Sequence, residues 1–407
     1  MKTYKHIFEE MLKEENIRQC FIEAARRKTN RPEIARVLEE ESLQKHIKIL
    51  QTLLQEEKFR PPEHKKKLIN EYTCGKIRTI IKPVYLYEQV VHHCIVKQLQ
   101  PIILHGLYEH ALGSIPGRGC HSGKKTMEKW LRSYKGKKFY ILKTDVFHCF
   151  DTESIAVIEE KLKAVIKDEK FVRLCMIVLE SEAHEPVEKD WINPNEWEDE
   201  ELLCGLPLGF VTSQWFTQLN FKKLDHKITE DWRKEYAVDK NMRYADDIVV
   251  LGRNKRKLHK LRIKMDEYLH EEMQQKLKDN WQVFRFEYKD KRTGKVRGRA
   301  LDFMGFVFHY NRTTLRKAIL KRSTRKAHKI SKKEKVNWYD ASCMLSSMGW
   351  YTHTDTYDYY LKYIKPYVNI QRLKKIVSKH AKKGVQNGVR MVSGRKYGKA
   401  GGVGHEV

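Results

Sequence analysis

The segment NMRYADDIVVLG (residues 241–252) constrains the chain most, because two apolar half-strands flank a turn that carries two adjacent aspartates, Asp246 and Asp247. Apolar strings of about 4–8 residues that break at such a turn read as a β-hairpin with a buried face. Two like charges at its tip repel each other and lack the helical spacing for pairing with bases, so a bound divalent cation is an economical way to keep both ionised. A second buried strand, KFYILKTDV (138–146), also ends on an acid, Asp145. A lone carboxylate in a basic chain can be satisfied by a lysine. Joined to the adjacent pair from a neighbouring strand, however, it completes an oxygen-rich Mg2+ site. Two such ions together stabilise the attacking and leaving oxygens of an in-line phosphoryl displacement.

The charge balance points to a polyanionic partner. The 81 Lys and Arg against 53 Asp and Glu leave a formal charge of +28, and aromatics make up 11% of the 407 residues. Aromatics interleaved among bases favour nucleic acid over a membrane surface. A hydrophobic share of 41% is enough to bury cores, which excludes a wholly disordered basic protein. Two or three packed units are expected for this length. The eight cysteines form no CxxC pair, which argues against a zinc ribbon or a disulfide framework. No apolar run approaches the ~20 residues that span a bilayer, and acids stand where a signal peptide needs an apolar stretch. A cytoplasmic protein with no membrane partner is expected.

Up to residue 61 the chain reads as helices: IARVLEEESLQKHIKILQTLLQ carries apolar residues at three- and four-residue steps, and Pro61 and Pro62 stop the run. LINEYT and IRTIIKP then form a basic hairpin turning at Cys74 and Gly75. A helix is expected after Pro83, and GSIPGRGCHSGKK is a glycine-rich basic stretch that opens another. GLPLGFVTSQ feeds a further helix, a basic helix is expected near Lys255 to Met273, and a polar hairpin over FRFEYKDKRTGKVRGRALDFMGFVF. Residues 180–201 hold ten acids and one Lys, a solvated acidic insertion. Arg312 to Lys335 holds eleven Lys and Arg with a single Glu on predicted helices, a run so one-sided that it points to phosphate. Trp350, Tyr351 and Tyr357 are expected in the core behind it. From Gly384 the chain reads as a mobile basic tail. His92, His93 and His353 read as packing or surface residues, none having a second ligand at helical spacing.

The ordered set KIRTIIKP, SIPGRGCH, KTDVFHCFD, GLPLGFVTSQ, YADDIVVLG and LDFMGFVF, over about residues 66 to 310, resembles a bacterial reverse transcriptase. The resemblance implies an α+β right-hand polymerase fold: an N-terminal helical extension (1–61), fingers (62–135), a palm with an antiparallel sheet (136–310), a helical thumb (311–383) and a flexible tail (384–407). It implies RNA-directed DNA synthesis from dNTPs on a template RNA, with two Mg2+ ions for which Mn2+ can substitute. Asp145, Asp246 and Asp247 match the metal ligands, with the Val146 carbonyl as an additional one. Phe150 matches the aromatic that sits under the incoming sugar and excludes a 2′-hydroxyl, which makes the product DNA. Arg78 matches the triphosphate clamp, helped by Lys76, Lys82 and Arg118. Met304 and Gly305 match the turn of the primer grip. Arg316, Lys317, Lys321, Arg322, Arg325 and Lys326 would follow the backbone of the cDNA/RNA duplex.

The turn motif narrows the resemblance. Most of the family places Gln before Gly209 and Pro after Ser213, whereas this chain has Leu208 and Gln214. That pattern is similar to the diversity-generating retroelement branch, whose enzymes copy a template RNA with frequent errors at adenines and work with a small basic accessory protein. Loss of a hydrogen-bonding amide beside the nascent pair lowers discrimination in the same direction. The acidic insertion is the expected docking place of such a subunit. The N- and C-terminal extensions also fit defence-associated bacterial reverse transcriptases. A maturase or RNA chaperone without catalysis and an RNA-dependent RNA polymerase are the readings of other classes. The intact carboxylates count against the first and Phe150 against the second.

Overall fold

The computed structural model describes residues 3–71, 76–186 and 203–389. Most of the acidic insertion, the Cys74–Gly75 turn and the end of the tail lie outside the described residues. The fold is α+β. It begins with four helices, α1 (Ile7–Leu12), α2 (Glu14–Ala24), α3 (Pro32–Val37) and α4 (Glu40–Gln55). In α4 the buried residues are Leu43, Ile47, Leu50 and Leu54, an apolar stripe along one side of the helix. This stripe joins a core shared with helices from later in the chain, α5 (Val90–Leu104), α8 (Ile155–Val165) and α9 (Glu169–Glu180). Between α4 and α5 stands a two-stranded antiparallel hairpin, β1 (Lys66–Glu71) with β2 (Lys76–Ile81), in which Lys66 faces Ile81.

The centre of the molecule is a five-stranded sheet in the order β3–β5–β6–β4–β7. Its strands are β3 (Ala111–Leu112), β4 (Tyr140–Asp145), β5 (Val238–Tyr244), β6 (Asp247–Gly252) and β7 (Gln282–Arg285). Every pairing is antiparallel except β3 with β5. The side chains of the central strands alternate between two cores, as the pleat of a sheet requires. Ile141, Met242, Val249 and Leu251 point to one core, which takes in Met127 and Trp130 of α6 (Cys120–Ser133). Leu142, Ile248 and Val250 point to the other, built with α10 (Val211–His226) and α11 (Lys255–Met273). Burial on both faces is why these strands read as continuous apolar runs. A four-residue helix, α7 (Cys149–Thr152), follows β4.

The expected polar hairpin after α11 divides into three parts. β7 joins the main sheet, β8 (Tyr288–Lys289) pairs with β9 (Val296–Arg297), and β10 (Leu301–Phe303), β11 (Phe306–Phe308) and β12 (Thr313–Leu315) form a separate three-stranded sheet. Four helices follow: α12 (Lys317–Ser331), α13 (Trp338–Tyr351), α14 (Tyr357–Tyr363) and α15 (Ile370–Val389). Tyr351 is buried among them as expected, but Tyr357 is exposed. Helix α15 runs past Gly384, where the tail was expected to begin. One glycine costs a helix only about 1 kcal/mol relative to alanine, which does not end it. Among the described residues no helix is long and apolar enough to cross a membrane.

Candidate active site

Strands β4 and β6 are neighbours, and their register sets Asp145 directly opposite Asp247. Asp246 precedes Asp247 in the two-residue turn that closes β5 onto β6. The three carboxylates, about a hundred residues apart in the chain, thus meet at one end of the sheet. The turn demands a left-handed residue, and Ala245 takes it at φ 54°. Two contacts hold the tip: Ala245 N–H donates to the Leu112 carbonyl (2.9 Å), and Arg243 donates through Nη1 to the Ala245 carbonyl (2.9 Å).

Crowding of like charge in a half-buried place bears directly on the protonation of the group. Burial first, then the neighbouring Asp145 and Asp247, pushes the Asp246 carboxyl up to about 7. Asp247 is also raised, again by burial and then by Asp145, against the opposing fields of Lys143, Arg316 and Lys278. Asp145 forms an ion pair through Oδ2 with Lys278, whose backbone N–H also donates to the Asp145 carbonyl (2.8 Å). Its other oxygen, Oδ1, is buried without a hydrogen-bond partner. An orphaned carboxylate oxygen beside two further acids is a hard, oxygen-only donor set, which fits Mg2+ or Mn2+. Among the described residues no three acidic, histidine or cysteine side chains are drawn tightly enough together to chelate an ion unaided. Val146 is fully buried and bridges Leu277, continuing the strand beyond Asp145.

The other predicted residues fall into two groups. Phe150 lies on α7, five residues past Asp145, half-buried against the first core, and its carbonyl accepts from Leu206 N–H (2.6 Å). Leu206 leads into the turn holding Leu208 and Gly209. The Leu208 carbonyl accepts from Ile81 N–H (2.9 Å), so this turn docks on the end of β2. Gly209 has φ +124°, and a Cβ there would overlap the Ile81 carbonyl oxygen, so only glycine fits. Gln214 is exposed on α10. A cleft of about 230 Å3 lies between Thr79 and Ile81 of β2, Asp151 and this turn. Arg78 and Lys82 are exposed on and just after β2, while only the backbone of Lys76 is described. Arg118 stands apart from this group: its Nη1 donates to the Tyr108 carbonyl (2.9 Å), where it braces the loop before β3.

Met304 and Gly305 form the two-residue turn between β10 and β11, both at positive φ (54° and 84°). This hairpin is tied to the aspartates through Lys143, whose Nζ donates to the Asp302 carbonyl (2.7 Å) from two residues before Asp145. Arg316 is turned to the same place, with Nη2 2.6 Å from Asp302 Oδ1, so it serves the hairpin instead of standing on the open helix face. Lys317, Lys321 and Arg325, one helical turn apart, are exposed on α12 together with Arg322, opposite the buried Ser323, Ala327 and Ile330. Lys326 is half-buried, 4.0 Å from Asp340 and over the Tyr339 ring.

Sequence reasoning missed Lys278 and Lys143 because each works through a partner more than a hundred residues away, and the bracing of Arg243 because its guanidinium is aimed by Asp225 and Gln218 of another element. Only the position of Arg243, two residues before the turn, was a signal. It also overlooked Glu88, one helical turn before His92. Glu88 Oε1 lies 3.7 Å from His92 Nε2, and Nδ1 of the same ring bonds Thr212 Oγ1 at 2.8 Å.

Comparison with known proteins gives the family. No curated protein sequence matches this chain significantly. Solved telomerase structures are similar: that from Candida tropicalis in complex with a TWJ fragment of telomeric RNA (TM-score 0.45, 12% identity, 82% of this chain and 55% of that one). The telomerase from Candida albicans in complex with the same kind of fragment gives TM-score 0.45 and 12% identity over 83% of this chain and 62% of that one. This chain therefore spans little more than half the length of those proteins, and a likeness this distant carries no detail of the site. The family described as reverse transcriptase (RNA-dependent DNA polymerase) matches residues 64–308, well over half of the chain and all of the strands that carry the aspartates. The chain belongs to the reverse transcriptase family, and its α+β fold is the polymerase fold of that family.

Proposed function

We propose that the protein is an RNA-directed DNA polymerase, and that the observation carrying this reading is Asp145 facing Asp247 across the sheet with a buried, unpartnered carboxylate oxygen. Asp145, Asp246 and Asp247, with the Val146 carbonyl, hold the divalent ions. Bound there, Mg2+ supplies neutralisation of the triphosphate and acidification of the primer 3′-hydroxyl. The chain's own residues do the positioning. Phe150, on the short helix behind Asp145, lies under the sugar of the dNTP and leaves no room for a 2′-hydroxyl. Arg78 of the hairpin takes the triphosphate with a bidentate guanidinium, with Lys76 and Lys82 beside it. The Met304–Gly305 turn, fastened to β4 through Lys143, holds the primer terminus at a fixed height above the aspartates. Lys317, Lys321, Arg322 and Arg325 follow the backbone of the template–product duplex. In this reading residues 62–135 are fingers, 136–310 palm and 311–383 thumb.

Leu208 and Gln214 support a finer reading, error-prone copying of a template RNA in a diversity-generating retroelement, with a small basic accessory protein at the acidic insertion. Leu208 offers the nascent pair no hydrogen bond, so mispairs lose less relative to matched pairs.

The test is primer extension on an RNA template with purified protein and dNTPs. The wild type extends the primer, while the Asp246→Ala/Asp247→Ala variant does not. Equal incorporation by both sinks the reading. Sequencing the products tests the finer statement: errors concentrated at template adenines support the retroelement, and untemplated or repetitive products favour a defence role.

A further inference from the structure

A basic cleft opens at the opposite end of the main sheet. It has a volume of about 730 Å3 and lies between the end of α6, the loop into β4 and the β8–β9 ribbon. Tyr140, at the cleft end of β4, is paired with Arg285. From Tyr140 to Asp145 is five steps of strand, about 17 Å at ~3.4 Å per residue, so the cleft stands clear of the aspartates.

Its charge is one-sided. Eight Lys and Arg line it, among them the exposed Lys135, Lys137, Lys138, Lys289, Lys291 and Arg292. Two acids also line it, and both are engaged in holding their own loops. Glu287 accepts from Tyr310 N–H (2.9 Å) and contacts His309 (3.1 Å). Asp290 accepts from the backbone N–H groups of Arg292 and Thr293 (3.0 Å each) and pairs with Arg297 (3.3 Å). Among the described residues none of the six cations has a carboxylate within ion-pair distance. Like charges held in this number around one hollow repel one another, and a row of phosphates relieves that repulsion. The walls are partly aromatic: Tyr288, whose ring carries the Arg285 guanidinium 3.4 Å from its centre, and Tyr310. Cationic rims over aromatic walls are how proteins hold single strands, the phosphates on lysines and the bases against rings. The volume falls within the ~300–1,000 Å3 of pockets that enclose a small molecule, room for about one or two nucleotides but too little for a duplex.

We infer that this cleft is a binding site for single-stranded RNA, separate from the polymerising site, which grips a part of the RNA that is not being copied. Recognition of phosphate stands on the cleft alone; that the strand is RNA rests on the polymerase reading.

The test uses the full chain and a fluorescent single-stranded RNA, with an excess of unlabelled RNA/DNA hybrid present to occupy the duplex path, and no dNTPs. In the Lys135→Glu/Lys137→Glu/Lys289→Glu/Lys291→Glu variant the remaining RNA affinity falls at least tenfold. The slope of log affinity against log salt falls by about 2 to 3, as expected for ~0.7 per phosphate neutralised by a lost cation. The quadruple Gln variant gives the same direction, and circular dichroism verifies that both variants are folded. In the wild-type protein, 4-thiouridine in the RNA crosslinks to the Tyr288–Arg292 peptide. Unchanged affinity in both folded variants, or crosslinks only to α12 and the aspartate hairpin, overturns the proposal. Single-stranded DNA that displaces the RNA at equal concentration overturns the assignment to RNA. Binding is read without synthesis, so failure of the polymerase reading shows separately in primer extension.

Discussion

Arg243 and Asp225 form a salt bridge wholly shut off from water, with Nη2 2.6 Å from Oδ2 and Nε 2.9 Å from Oδ1. The same guanidinium donates to Gln218 Oε1 (3.0 Å) and to the carbonyl of Ala245 at the tip of the aspartate hairpin. Helix α10 is thereby fastened to the turn that carries Asp246. Arg243→Met leaves Asp225 buried without its partner, and costs about 3–5 kcal/mol. Urea unfolding measures this loss, and the Arg243→Met/Asp225→Leu double variant recovers most of it. A single variant as stable as wild type would show that water reaches the pair.

Lys278 supplies the one cation paired with Asp145 among the described residues. In Lys278→Met protein without metal, three acids share a place in which no cation is paired with Asp145. For a pair this close to the surface the loss of stability is about 1 kcal/mol. Added Mg2+ then raises the melting temperature of the variant more than that of the wild type, because the ion no longer competes with the ammonium. Equal shifts in differential scanning fluorimetry count against a metal at these carboxylates.

Gly209→Ala puts a methyl group into the Ile81 carbonyl at a φ that side chains rarely adopt. Backbone strain alone costs about 1–3 kcal/mol, and the overlap adds to it. The turn is expected to lift off β2, so amide exchange at Ile81, whose N–H bonds the Leu208 carbonyl, quickens while exchange in β4 and β6 does not. Protection of Ile81 equal to wild type would mean that the turn absorbs the change.

Glu153 is fully buried, and burial raises its carboxyl to about 7 despite hydrogen bonds from Thr217 (2.6 Å) and Asn220 (3.3 Å). Its folded pKa lies above the unfolded one, so the protonated form is favoured in the native state. Stability from this group is complete below about 4.5 and is lost as pH rises through 7, a change of about 3 kcal/mol. Lys161, lowered by burial to about 8, stays charged across that window. Glu153→Gln should flatten this part of the curve of unfolding free energy against pH; a curve that keeps its slope assigns the slope to other groups.

If Phe150 lies under the incoming sugar, as proposed, Phe150→Ala opens that space. Incorporation of NTP relative to dNTP is expected to rise about tenfold or more, the order of a single steric contact in a pocket. The ratio of kcat/KM for the two sugars measures it, and an unchanged ratio moves the gate to another residue.

Much of this architecture is legible in local pattern. Apolar runs of strand length reveal β4 and the β5–β6 hairpin, and three- and four-residue spacing reveals α4 and α12, because burial leaves its period in the chain. The division of residues 282–308 among three sheets is not legible. Strands of two to four residues are too short to leave a readable period, and their pairing is decided by what lies beside them.

By itself the sequence determined which residues could form a turn of adjacent acids, where apolar faces lie and how strongly positive the surface is, since these follow from side-chain chemistry and periodicity. Only the tertiary structure decided that Asp145 faces Asp247, that Lys278 and not solvent meets its carboxylate, that Arg118 and Arg316 bind within the protein, and that eight lysines and arginines from separate segments line one cleft. Strand register and the approach of distant loops depend on packing between segments far apart in the chain, and no local pattern encodes such distances.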